Sequence, residues 1–357
     1  MMTKTMRQWK LVAPGKMVAE TVPIPVPGDD EVLLKVCRIG ICGSDLTIYR
    51  GHHPYAISPL VMGHEFAGEI VAVGKNANRK VGEKVAAIPH LVCGHCQPCR
   101  SKTFNFCEEL RCMGAEAHGA HAEYICIPAE MAIPVPAGFN LDMAAMLEPA
   151  CVALHGVRRE PIPPGGKVLV VGVGPIGLFA VQSAKALGAK EVYAADLDER
   201  RLELAKRLGA HGVVCLKNTD LVKGLKECGC PAKDIDVFVD CVGLKGQALD
   251  VILANARRGA SVVMIGVLQN GYVLPHLPDF VQHELRLSGS TMYTPKDYRD
   301  MIALMHEKKV RIDGLISHRI RFSELPETLA RIDRGKLPHF KIMVDVVDVG
   351  SSEQKKP

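Results

Sequence analysis

The chain has 357 residues, enough for two domains with cores of their own. Apolar residues make up 48% and charged residues 23%, and a net charge of +5 is spread along the chain; this is a globular balance, too diffuse to argue for a nucleic-acid partner. No apolar run nears the ~18 residues of a membrane span and MMTKTMRQWK carries no apolar signal core, so neither a membrane span nor a secretory signal is expected, and the thirteen cysteines read as reduced thiols and metal ligands in a cytoplasm.

Residues 1–35 read as a strand, a turn punctuated by Pro23, Pro25, Pro27 and Gly28, and the start of a second strand, Glu31–Val36. Glu69–Val73, Lys84–Pro89 and Ala122–Ile127 follow as short strands between glycine turns, the pattern of a compact β-barrel-like domain. Within it, residues 93–107 read CGHCQPCRSKTFNFC, so Cys93, Cys96, Cys99 and Cys107 form a C-x2-C-x2-C-x7-C series. Four thiolates in one loop make a closed tetrahedral zinc site that pins the loop and leaves no position open for chemistry. An iron–sulfur cluster is the rival, disfavoured by the seven-residue gap and the lack of a following proline.

From Met143 to Arg159 the pattern turns helical, and from Gly165 strand and helix alternate, which predicts a doubly wound parallel sheet. The stretch Lys167–Asp196 carries its most specific feature. An apolar strand breaks at Gly172-Val173-Gly174-Pro175-Ile176-Gly177, a helix runs to about Leu187, and a second strand ends on Asp196. Gly172 permits the tight turn, Gly174 lets backbone approach a pyrophosphate, and Gly177 lets helix pack on strand. Pro175 suits the first helical turn, whose free N–H groups attract phosphate. Asp196 can accept both ribose hydroxyls and would repel a 2′-phosphate, which favours NAD over NADP. Val242 and the Gly266-Val267 pair end later strands, where the nicotinamide half is expected. Tyr298–His306 and Leu325–Arg334 read as helices, Lys341–Val347 as a last strand, and Gly350–Pro357 as a polar, disordered tail.

Cys42 in GICGSD, His64-Glu65 in GHEFAG and Glu148 in LEPA mean little singly. Together they supply a thiolate, an imidazole and carboxylates, a set suited to an open catalytic zinc. With the four-cysteine loop and GVGPIG in the same order, they make the chain resemble the zinc-dependent medium-chain dehydrogenase/reductase family, in its sorbitol- or polyol-dehydrogenase branch, from about residue 10 to residue 345. The resemblance implies an α/β chain: a GroES-like β-barrel catalytic domain at 1–155 and 293–357, and a Rossmann NAD-binding domain at 156–292. It implies two Zn2+ ions per chain, the catalytic one held by Cys42, His64 and Glu65 with Glu148 as a further ligand or water holder, and Asp45 orienting His64. Zinc would act as a Lewis acid on a substrate hydroxyl while the carbinol carbon gives hydride to NAD.

By the same resemblance Ser44 takes the substrate proton; its plainer role is to cap the helix near Asp45. Arg201 would lie over the adenine or ribose, or else on a solvated helix face. Tyr49, His90, Glu116, His118, His121 and Met292 are candidate pocket residues, each with an ordinary packing role as alternative. Thr47 stands where many relatives have a relay histidine, which leaves His52 or His53 as proton exits, and Met292 precedes Tyr293 where sorbitol dehydrogenases carry an arginine–tyrosine pair. The expected activity is NAD-linked oxidation of a secondary alcohol (a polyol, sugar or sugar-alcohol phosphate), in a homodimer or homotetramer. An L-threonine 3-dehydrogenase-like activity is the nearest alternative. A non-enzymatic zinc-loop binding protein would have no need of the second metal set, and a zinc-free NADPH reductase fits neither that set nor Asp196.

Overall fold

The computed structural model describes residues 4–275 and 277–346; the tail at 350–357 and the end of the expected last strand lie outside the described residues. The chain divides into two compact units, Met1–Glu148 with Leu315–Pro357, and Pro149–Gly314.

The first unit is built around strand Glu31–Ile41, which runs well past the expected end at Val36. It pairs antiparallel with Glu65–Val73, Tyr124–Pro128 and Lys341–Asp345, and Lys84–Ala87, Ala132–Pro134 and Ile316–Arg321 extend the sheet to seven strands. Arg38 looks like a break in the apolar pattern, but it is neutralised in place: its Nε lies 3.1 Å from Asp142 and 3.0 Å from Asp345. Thr5–Ala13, Lys16–Pro23 and Leu60–Val61 form a separate three-stranded sheet. This is the GroES-like half.

The second unit holds six parallel strands in the order Gly212–Cys215, Glu191–Asp196, Lys167–Val171, Val237–Asp240, Ser261–Met264 and Arg286–Gly289. Leu169, Val171, Phe238, Val262 and Leu249 pack its core. The order reverses direction between Lys167–Val171 and Val237–Asp240, and such a switch point opens a ligand crevice at the carboxyl ends of the strands.

The expected domain limits shift. The division falls at Pro149, inside helix Leu141–Val157, and again after Gly314. Residues 149–155 and 293–314 belong with the second unit because polar ties hold them there. His155 Nδ1 lies 2.9 Å from Asp297 Oδ2, the Arg158 guanidinium is 2.8 Å from the other Asp297 oxygen, and Gln182 exchanges hydrogen bonds with the Arg311 backbone.

Candidate active site and metal centres

Strand register assembles the first cluster. Strand Glu31–Ile41 ends at Cys42, which N-caps helix Gly43–Tyr49. Glu65 opens the neighbouring strand opposite Gly40, and His64 precedes it on the chain. A Cβ at Gly40 would lie 2.1 Å from Glu65 Oε2, so only glycine leaves the carboxylate room. One donor atom each from Cys42, His64 and Glu65 lie within 4.8 Å of one another.

Asp45 does two things here. Its Oδ2 accepts the Cys42 backbone N–H at 2.9 Å, and its Oδ1 lies 3.6 Å from His64 Nδ1. That leaves His64 Nε2 facing the cluster, 3.3 Å from the Ser44 hydroxyl. Capping of this helix therefore falls to Cys42 and Asp45, and Ser44 keeps its hydroxyl for His64. Thr47 Oγ1 turns back to the Gly43 carbonyl at 3.4 Å. Glu148 is buried outside the three-donor group, but its charge acts on Lys341 and Cys112 beside it.

The cluster is rich in anions. Burial pushes the His64 pKa down, yet Asp45 and Cys42 outweigh it and hold the imidazole well above its usual value. A buried imidazole that must stay protonated to balance its neighbours marks a place where a divalent cation fits.

The donor atoms of Cys93, Cys96, Cys99 and Cys107 also lie within 4.8 Å of one another, around helix Gln97–Arg100 and the turn Phe104–Phe106. The Glu108 backbone N–H brings the Cys96 thiol down to about 6, whereas burial pushes Cys99 up to about 12. Four thiols packed this closely cannot all ionise alone; a tetrahedral cation of zinc's softness suits them.

In the second unit Gly172 sits at φ 84, and a Cβ on Gly177 would strike its carbonyl oxygen at 2.0 Å. Gly174 caps helix Pro175–Ala186, with Ile176 in its first turn. Nothing approaches a Gly174 Cβ within 4 Å but Arg201 Nη1, at 3.9 Å, which leaves the space that a pyrophosphate needs. Asp196 Oδ2 accepts the Val173 N–H at 2.7 Å and its Oδ1 accepts that of Asp198 at 2.9 Å. Val242 borders the same turn, with Gly266 packed against Gly243 beside it, and Val267 is 81% exposed.

Two family profiles match the chain: the alcohol dehydrogenase GroES-like domain over residues 28–137 and the zinc-binding dehydrogenase over residues 175–307. L-galactonate-5-dehydrogenase of Escherichia coli (strain K12) is 36% identical over 320 residues, covering 89% of this chain and 92% of the relative. The chain belongs to the zinc-dependent medium-chain dehydrogenase/reductase family. Two solved structures agree, each 30% identical with a TM-score of 0.87 over 96% of this chain. One is a zinc-binding dehydrogenase from Sinorhizobium meliloti 1021 bound to NADP, matched over its whole length. The other is an alcohol dehydrogenase from Escherichia coli CFT073 complexed with NADH, matched over 99%. The protein is thus a zinc-dependent oxidoreductase of secondary alcohols that works with a nicotinamide dinucleotide.

Several expected pocket residues of the dehydrogenase have framework duties. Tyr49 donates its hydroxyl to the Gly15 carbonyl at 2.9 Å and anchors a hairpin turn, with Asp333 and Arg334 as its charged neighbours. His118 Nδ1 accepts the Val61 N–H at 3.1 Å, and the Glu116 carboxylate accepts that of Cys112 at 3.1 Å. Burial alone holds His90 at about 4, and it dominates at His121, also about 4, so both imidazoles are neutral interior groups. Met292 belongs to the second unit, in the left-handed region at φ 50.

The sequence reading missed Lys341. Its Nζ lies 2.6 Å from both oxygens of Glu65 and donates to the Ile41 carbonyl at 3.0 Å, with the side chain 3% exposed. The only sequence signal is a lone lysine heading the apolar run KIMV.

Proposed function

We propose that this dehydrogenase oxidises a polyol or a sugar-derived secondary alcohol, with NAD as acceptor, at the Cys42–His64–Glu65 cluster. One observation carries the reading: three metal-type donors and a serine hydroxyl converge in a buried, anion-rich spot. Cys42, His64 and Glu65 would hold the catalytic zinc, with Glu148 as further ligand or water holder, and the four-cysteine loop would hold the second ion. When bound, zinc supplies a Lewis acid that acidifies the substrate hydroxyl, and NAD supplies the hydride acceptor. Asp45 keeps the His64 ring oriented. Ser44, beside His64 Nε2, accepts the substrate's hydroxyl proton and releases its own toward solvent. Gly172, Gly174, Pro175, Ile176 and Gly177 receive the pyrophosphate. Asp196 takes the ribose hydroxyls, Arg201 lies over the turn, and Val242, Gly266 and Val267 line the nicotinamide end.

The test is a panel of polyols, sugar acids, amino-acid alcohols and their phosphates, followed by NADH absorbance with NAD and NADP in parallel. Turnover of a polyol-type alcohol with preference for NAD is expected. Metal analysis of freshly purified, folded protein is expected to give about two zinc ions per chain, one closed and one open site; one ion or none overturns the mechanism.

We also propose that the enzyme is a cytoplasmic homodimer or homotetramer. None of the thirteen cysteines is in a disulfide, as suits a reducing compartment. Strand Arg286–Gly289 ends its sheet without an outer neighbour among the described residues, and Val273, Leu277 and Val281 nearby are 83%, 61% and 76% exposed. Open strand edges and apolar patches call for cover. Light scattering is expected to give a multiple of the 38.7 kDa chain mass; a monomer at micromolar concentration rejects this.

A further inference from the structure

Among the described residues a further group of metal-type donors stands beside the four-cysteine loop. The Cys93 sulfur, a ring nitrogen of His95 and a carboxylate oxygen of Glu109 lie within 4.8 Å of one another. The thiol is shared with the closed site; His95 and Glu109 belong to no site described above. Cys96, Cys99 and Cys107 are buried, so of the four thiols only Cys93 is partly open to solvent. The His95 and Glu109 side chains are 75% and 68% exposed. Local turns bring the three together. Gly94 sits at φ 77, a left-handed conformation that costs glycine little, and swings the chain round between Cys93 and His95. The Arg100 guanidinium donates to the His95 carbonyl, and the Cys96 N–H donates to the Cys93 sulfur at 3.4 Å, which pins both residues. The Leu110 N–H closes back on the Cys107 carbonyl at 3.2 Å and fixes the turn that carries Glu109.

The spacing is that of ligands. His95 Nε2 is 3.7 Å from Glu109 Oε1, beyond a hydrogen bond. It is close to the ~3.4 Å that separates two ligands on one tetrahedral zinc with bonds of about 2.1 Å. On the other side Cys93 Sγ lies 3.9 Å from Cys99 Sγ, near the ~3.8 Å expected of two thiolates on one zinc with bonds of about 2.3 Å. The Cys93 sulfur therefore stands at ligand spacing on both sides, and a thiolate has lone pairs enough to bridge two ions.

We propose that Cys93, His95 and Glu109 form an outer zinc site through which the ion of the four-cysteine loop enters and leaves. A thiolate, an imidazole and a carboxylate, with water in the fourth position, suit a borderline-soft cation. Passage inward is ligand exchange, and no electron moves. Cys93 keeps its bond, His95 and Glu109 let go, and Cys96, Cys99 and Cys107 take the ion and give their protons to water. Inward is the favoured direction, because four thiolates in a buried loop suit zinc better than one thiolate and two exposed groups. The proposal rests on reading the four cysteines as a zinc site; it does not depend on the substrate.

Isotope exchange tests it without using turnover. Folded, zinc-loaded Cys42→Ala, expected to hold only the loop's ion, is mixed with an excess of an enriched zinc isotope. Elemental mass analysis then follows the isotope retained after desalting, and the loop's share is the part lost when Cys96→Ala is added. His95→Gln with Glu109→Gln keeps side-chain size and removes both strong ligands. It is expected to slow exchange about tenfold, the scale on which supporting groups act at metal sites, with zinc content and Tm unchanged. His95→Asp, beside the native Glu109, offers the ion another ligand and is expected to keep exchange within about threefold of the parent. Unchanged exchange in the doubly substituted protein, or rates that only follow thermal stability, overturn the proposal: the ion would then leave by opening of the whole loop. Equal zinc content with and without Cys96→Ala rejects the four-cysteine zinc site itself, and this proposal with it.

Discussion

Cys42→Ala is expected to lower kcat/KM by at least about 10³-fold, to reduce bound zinc from two ions to one, and to leave the thermal transition nearly unmoved. A Lewis-acid metal contributes several kcal/mol to stabilising developing charge, and each 1.36 kcal/mol is tenfold in rate. The fold tolerates the change because Asp45 still holds the Cys42 main chain through its N–H. Cys96→Ala is expected to behave in the opposite way. Residues 93–107 contain one short helix and one short turn, and the sulfur atoms of Cys93 and the buried Cys96, Cys99 and Cys107 lie within 4.8 Å of one another. Without its cation this loop loses its anchor, and a few kcal/mol lost from a unit of this size lowers Tm by roughly 5–10 °C. Turnover per folded, zinc-loaded molecule should change far less than in Cys42→Ala. The reverse pattern, an inactive Cys96→Ala at full stability with a destabilised but active Cys42→Ala, would mean that the two centres have been exchanged.

What could be read from the sequence follows from how far apart the cooperating residues lie. The glycine turn and the four-cysteine loop each keep their parts within one short stretch, so spacing alone carries the chemistry. Cys42, His64 and Glu65 lie on two segments, and only the resemblance joined them before register did. Lys341 enters from the far end of the chain, on a strand paired with Glu31–Ile41, and no local pattern connects it to Glu65. The strand's true length was hidden because Arg38 is polar in sequence and compensated only in space, by Asp142 and Asp345. The domain limits were misplaced for a related reason: helix Leu141–Val157 continues through Pro149, so the division has no loop to announce it. Tyr49 was offered to the substrate on position alone, and the Gly15 carbonyl claims its hydroxyl.

Lys341→Met is expected to destabilise the metal-free protein by about 3–5 kcal/mol, because it strips the buried Glu65 carboxylate of its cation. Glu65 is fully buried, and methionine fills the space of the lysine stem without replacing its charge. Lys341→Met with Glu65→Gln removes both charges and is expected to recover most of the loss, giving a large coupling energy in the double-mutant cycle. Burial lowers the Lys341 pKa, but Glu65 and Cys42 outweigh it and raise it above its ordinary 10.5. A cationic group with a raised folded pKa contributes its stability in full below the unfolded value and loses it only as pH rises through the folded one. The deficit of Lys341→Met should therefore be flat from about pH 6 to 9 and shrink only in stronger alkali. Zinc adds a second expectation. A metal ion at Cys42 and His64 gives the orphaned carboxylate another cation, so zinc should restore part of the stability of Lys341→Met and none of that lost in Cys96→Ala beyond what its own site explains. Chemical denaturation of wild type, Lys341→Met, Glu65→Gln, the double variant and Cys96→Ala, with and without zinc, checks both. A single variant as stable as wild type without metal would mean that Glu65 finds its balance elsewhere, and Lys341 would then be no more than a buried chain end of the last strand.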